Sequence, residues 1–279
     1  MKKLDQNGSH ILLVVLVVLV VSVVGFVGWK VFGKKDVQTQ KTDMTQVPQT
    51  EEKSTSSVSW MWSGNQWQSS GTPPQCPDPL VFKQSPTDVS KVTSVLYPGQ
   101  SRGGNYKPHG GFRLSSNETT VVVPMDAKLV EGSRYIEQGE VQYMLRFTND
   151  CGVSYRFDHL ATLSPTLQAQ AEKLPAAKEN DSRTTNFDQP ISVKAGDIAA
   201  TVVGFKNTKN ASFDFGVYDL RQRNKSAQDS NYVSQHQNEL SQAAYALCWF
   251  DMLPKQGAQM IKSLPAADAA SGKTSDYCK

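Results

Sequence analysis

Three kinds of hydrophobic pattern succeed one another along the chain. The first is an unbroken apolar run, ILLVVLVVLVVSVVGFVGW, 19 residues from Ile11 to Trp29 without a charge. At ~1.5 Å per residue such a helix is about 28 Å long, close to the ~30 Å hydrocarbon core of a bilayer. It continues into Trp29-Lys30-Val31-Phe32 without a small-residue cleavage site, so it predicts an uncleaved transmembrane anchor over 11–32 behind a short head, residues 1–10. The second pattern is its opposite. Residues 33–57 are almost devoid of apolar side chains and rich in Gln, Thr, Ser, Lys and Glu. Such a segment cannot bury enough surface to offset its ordering entropy, and it predicts a disordered tether.

The third pattern is alternation with period two. Trp60 and Trp62 precede SGNQ and Trp67, which predicts a small hairpin in a Trp-rich segment (58–94) laid on the main domain. VQYMLRFT and GVSYRF alternate on either side of NDCG, a hairpin signal. TTVVVPMDAKLVEGS predicts strands broken at Pro124 and ended by Gly132, ISVKAGDIAATVVGF a hairpin about Ala-Gly-Asp, and ASFDFGVYDL a further strand. TLSPTLQAQAEKLPAAK is expected to be helical and ENDSRTTNFDQP to be a surface loop. Short strands turned by Gly and Asp predict a mainly β, antiparallel sandwich or barrel over 95–222. In the C-terminal extension, 223–279, QNELSQAAYALCWFDML places Leu240, Ala243, Ala244, Leu247 and Phe250 on one helical face, stopped by Pro254. No internal repeat is visible.

Composition changes this picture only in part. The formal charge is +3, with 38% hydrophobic and 20% charged residues, and no basic run is interleaved with aromatics. Nucleic acid is therefore not an expected partner. Four cysteines (76, 151, 248 and 278) without a C-x-x-C pair suit disulfides outside the cytoplasm. The expected location is a single-pass cell-membrane protein with its body extracytoplasmic. A bridge between Cys248 and Cys278 would pin a tail with little else to hold it, and Cys76 with Cys151 would form the other pair. Cys151 and His159 could be read as a nucleophile and base, but Cys151 stands in a turn, where a disulfide or buried thiol is commoner. His236, in a polar stretch, reads as solvated.

The order of a His-Gly-Gly segment (KPHGGFRL), a VVVPMDAKLV strand pair, YRFDHL, ISVKAGDIAATVVG and ASFDFGV resembles the lysostaphin-like (LytM-type) zinc endopeptidases that cut peptidoglycan cross-bridges, over about residues 97–222. The resemblance implies an antiparallel sheet with a groove. There a histidine, an aspartate four residues later and the second histidine of a His-x-His pair bind zinc, while two further histidines assist catalysis. On that pattern His109 matches the first ligand and His159 the helper of the Tyr-x-His-Leu segment. Arg113 falls where the aspartate is expected, and Ser212 and Asp214 where the His-x-His pair is expected. Asp214 keeps the ability to bind metal, but a guanidinium has no free lone pair.

Two readings follow from the resemblance. In the favoured one, the groove persists without catalysis, needs no cofactor, and binds peptidoglycan or regulates a cell-wall enzyme. The Arg113 guanidinium would then occupy the metal's place and pair with Asp214, with His109 hydrogen-bonded nearby. In the alternative, His109 and Asp214 hold zinc in an altered site, His159 assists, and the protein is a peptidoglycan endopeptidase.

Overall fold

The computed structural model describes residues 57–278. The expected head, anchor and all but the last residue of the tether lie outside that range. Among the described residues no helix is long and apolar enough to cross a membrane.

The described chain begins with a hairpin, β1 (Trp60–Trp62) and β2 (Trp67–Ser69). Then come β3 (Val92–Leu96), a small pair β4 (Gln100–Arg102) and β5 (Asn105–Lys107), β6 (Gly110–Leu114) and the short β7 (Val121–Val122). Long strands follow: β8 (Ala127–Glu137), β9 (Glu140–Thr148) and β10 (Val153–Leu163). Helix α1 (Pro165–Ala171) leads to β11 (Thr185–Val193), β12 (Ile198–Val203) and β13 (Ser212–Asp219). Three short helices close the chain, α2 (Ser230–Gln235), α3 (Leu240–Ala243) and α4 (Lys255–Ser263).

The main sheet runs β11-β8-β9-β10-β13-β6-β3, antiparallel throughout, with β12 pairing β10 and β7. The expected antiparallel β architecture is present, but as an open sheet and not a closed barrel. Alternation decides the faces. Tyr143, Leu145 and Phe147 of β9, Tyr155 and Phe157 of β10, and Phe213, Phe215 and Val217 of β13 enter the main core. Trp249 and Phe250 complete that core, and the Phe112, Phe157, Phe213 and Phe215 rings contact one another within 6.1 Å between centroids.

Several expectations are corrected. Gly132 does not end a strand: it stands opposite Leu145, and past a bulge between Leu129 and Glu131 the pairing of β8 with β9 continues to Glu137. ISV and IAATVV are strands around a turn, but they do not pair as a hairpin: β11 joins β8, and β12 joins β10. The TNFDQP end of the expected loop belongs to β11. The expected C-terminal helix is broken. After α3 the chain extends, Leu247 N–H donating to Val217 O and Asp219 N–H to Tyr245 O, both at 2.9 Å. The register of β6 on β13 stops at Phe215, so the backbone edge beyond it needs partners, and that need outweighs helical periodicity.

The Trp hairpin contacts residues of the main body. Trp62 meets Tyr245 edge-on at 5.9 Å, while the Trp60 and Trp67 indole N–H groups donate to Asp150 O and Ser241 O. Both expected disulfides are formed, Cys76–Cys151 and Cys248–Cys278.

Candidate functional site

The His-Gly-Gly segment sets the site. A Cβ on Gly110 would lie 2.2 Å from Leu96 O, and one on Gly111 would lie 2.6 Å from Phe213 O and 3.0 Å from Asp214 Oδ1. Two side-chain-free residues therefore let β6 fit closely between its neighbours and let the Asp214 carboxylate lie over it.

Register places the polar side chains on one face. Residues directly opposite share a face, so Glu131 of β8, Arg146 of β9 and Arg156 of β10 form a row. A second row holds Asp158 of β10, Asp214 of β13 and Gly111 of β6. Like charges stand opposite each other twice, Arg146 with Arg156 and Asp158 with Asp214. Three of the four are answered by an opposite charge: Arg146 Nε lies 2.8 Å from Glu131, and Arg156 and Asp158 pair with each other. Asp158 also accepts from the Tyr135 hydroxyl at 2.7 Å and from the His159 backbone N–H at 2.9 Å. Burial, and then the Asp158 charge, raise the Tyr135 pKa, so its hydroxyl stays a donor.

Asp214 is held by His109, Nε2 to Oδ2 at 2.9 Å, with His159 Nε2 at 3.9 Å from the same oxygen. His109 is buried, and burial followed by the Arg156 charge pushes its pKa down to about 4. The ring is therefore neutral near pH 7, donating from Nε2, while its buried Nδ1 has no partner. Burial alone would raise the Asp214 pKa, but His109, His159 and Arg156 outweigh it and hold the carboxylate ionised. His159 has φ 59°, a left-handed conformation that is costly for a residue with a Cβ, at the bulge between Phe157 and Leu160.

The site residues read from the sequence thus meet in part. His109, His159 and Asp214 converge. Arg113 lies on the same face, opposite Ser212, but the expected Arg113–Asp214 ion pair is not formed. Its Nη1 donates instead to Asn210 Oδ1 and, at 3.2 Å, to Ser212 Oγ, because Arg113 stands opposite Ser212 while Gly111 is the residue opposite Asp214. His236 is not solvated: its ring stacks on Tyr106 at 3.7 Å and Nδ1 lies 3.1 Å from Glu239. Cys151 is bonded to Cys76, which leaves no thiol for a Cys–His pair.

Sequence reasoning missed Arg102, Arg146, Arg156, Asp158 and Tyr135. Arg156 and Asp158 were available as the outward positions of the alternating SYRFDHL. No sequence signal marks Arg102, which donates to Tyr97 O, Gln100 Oε1 and His109 O.

Neither the models of known protein families nor the sequences of characterised proteins match this chain. Among solved structures, the solution structure of lysostaphin is similar over 47% of this chain, at 15% identity and a TM-score of 0.29. The chain spans 44% of that protein's length. A match this shallow leaves the site to be argued from its own residues.

An open zinc site needs three lone-pair donors and a free position. Arg113 has no lone pair to offer; of the three donors that converge, His109 Nε2 is hydrogen-bonded to Asp214 Oδ2, and His159 Nε2 lies 3.9 Å from that same oxygen. Among the described residues no group of three or more His, Cys, Asp or Glu is placed to hold a metal ion.

Proposed function

We propose that this protein is a non-catalytic groove of the lysostaphin-like peptidase type that binds peptidoglycan or regulates a cell-wall enzyme. The donor set supports this reading. At the three positions where the resembled family grips zinc stand a histidine spent on a carboxylate, that carboxylate, and an arginine bonded to Asn210 and Ser212. The rest of the face is a set of charges answered across strands, Arg146 by Glu131 and Arg156 by Asp158. The same reading carries the anchor over 11–32, with the body held outside the cytoplasm against the wall.

The test is co-sedimentation of the full chain with purified wall sacculi, with and without added zinc, together with assay of released fragments. Retention without release is the expected result. Zinc-dependent release would establish the peptidase instead. A membrane-impermeant thiol label on a single cysteine introduced into the tether should react in intact cells; protection until lysis would place the body inside.

A further inference from the structure

The cations on and beside this polar face are answered unequally. Arg146 faces Glu131, and Arg156 pairs with Asp158. Arg102 directs its donors to two backbone carbonyls and the Gln100 side chain. Arg113 has no carboxylate within 4 Å among the described residues, and its two acceptors, Asn210 and Ser212, are neutral. Both contacts use Nη1. The Nε–Nη2 edge has no protein acceptor among the described residues, and the residue is half-buried, so that edge is reached from solvent.

A guanidinium is more weakly hydrated than an ammonium; this one is held in place from one side and presents two parallel N–H groups on the other. That fork matches the two oxygens of a carboxylate. Its neighbour narrows the choice. Asp214 is two residues along β13 from Ser212, the residue opposite Arg113, a rise of about 7 Å. His109 holds only Oδ2 of that carboxylate. A dianion would be repelled there, whereas a monoanion flanked by an amide or ammonium N–H meets both charges.

We infer that Arg113 is the receptor for a carboxylate of a peptide ligand lying in the groove, with Asp214 accepting from an adjacent N–H group. The inference deepens the function proposed above and rests on it for the polymer that carries the peptide. The carboxylate could be a chain terminus or an acidic side chain, and the test separates them.

Isothermal titration calorimetry of the full chain, at low ionic strength, compares acetyl-Ala-Ala with a free carboxylate, the same peptide amidated, and amidated acetyl-Ala-Glu, with inorganic phosphate as control. At least one carboxylate peptide should bind the parent at least tenfold more tightly than the neutral amide. Which one binds identifies the source. In Arg113→Gln that discrimination should vanish, the acid falling to the level of the amide, while Arg113→Lys should retain part of it. A neutral amide that binds the parent equally well, discrimination that survives in Arg113→Gln, or phosphate binding as tightly as the acid would each overturn the inference. Should Arg113→Gln not fold, the lysine variant and the acid–amide comparison in the parent still decide. Discrimination without sedimentation on sacculi would keep this inference and discard the wall polymer.

Discussion

The two disulfides close loops of different length, and that difference can be measured. Cys248–Cys278 spans 30 residues and Cys76–Cys151 spans 75. In the chain-entropy model each restricts the unfolded chain by roughly 3.5 to 4.5 kcal/mol, the longer loop ahead by about 0.8 kcal/mol. The shorter loop has a second effect. Inside it Val95 N–H donates to Pro265 O, Ala267 N–H to Val95 O, and Asp276 N–H to Gly99 O. The Tyr277 hydroxyl joins those of Tyr106 and Tyr232 at 3.0 and 2.8 Å. Replacing Cys248 and Cys278 with alanine should therefore lower stability by the loop term and let the tail fray before the sheet unfolds. Urea unfolding followed by far-UV circular dichroism would give the stability, and amide exchange at Tyr277 would report the fraying. Replacing Cys76 and Cys151 should cost more in the urea midpoint without selective exchange at Tyr277. A loss under about 1 kcal/mol for either pair, or unchanged protection at Tyr277 in the first, would refute the reasoning.

Buried His109 titrates lower in the folded protein than when unfolded, so the unfolded state takes up its proton first as pH falls. Stability should be level above about pH 6.5 and drop by on the order of 3 kcal/mol down to about pH 4, where His109 titrates in the fold; His109→Asn should flatten that slope, and an equal slope in both proteins would contradict the assignment. Asp214 contributes in the same direction but below the ordinary carboxylate range, so the two windows separate. Gly111→Ala should lose several kcal/mol in thermal or urea unfolding, since its Cβ would meet backbone at Phe213 O; a loss under about 0.5 kcal/mol would show that the strands part easily. Arg113→Asp combined with Asp214→His should create stoichiometric zinc binding, read by metal analysis after dialysis; comparable zinc in the parent would mean that its own donors suffice.

The sheet was legible because alternation with period two is written directly into β9, β10 and β13, and each long strand keeps one face in the core. The site was legible only where a glycine or histidine marks it. His109, Gly110 and Gly111 stand out in sequence, whereas Arg156 and Asp158 read simply as the polar half of a strand. What the sequence could not show is register. Whether Arg113 faces Ser212 or Asp214 depends on a two-residue offset between strands distant in the chain, and that offset separates an ion pair from an open guanidinium. The broken C-terminal helix failed for a related reason. A free backbone edge on β13, created far upstream, claimed residues whose own spacing favours a helix.

Both covalent staples also set how the body bears load. Residues 57–75, which include the Trp hairpin, lie ahead of Cys76, which is bonded to Cys151 in the turn between β9 and β10. A pull at the N-terminal side would peel that hairpin first, releasing at most about 65 Å of chain at ~3.4 Å per residue. There it meets the Cys76 bridge, and tension passes into the turn between two long, adjacent strands. At the other extreme Cys278 is clasped to Cys248, so a tug on the tail arrives beside β13 without running through the loop between them. The polar face of β10 and β13 lies on the chain between the two bridged cysteines, Cys151 and Cys248, so a load applied across both ends runs through it.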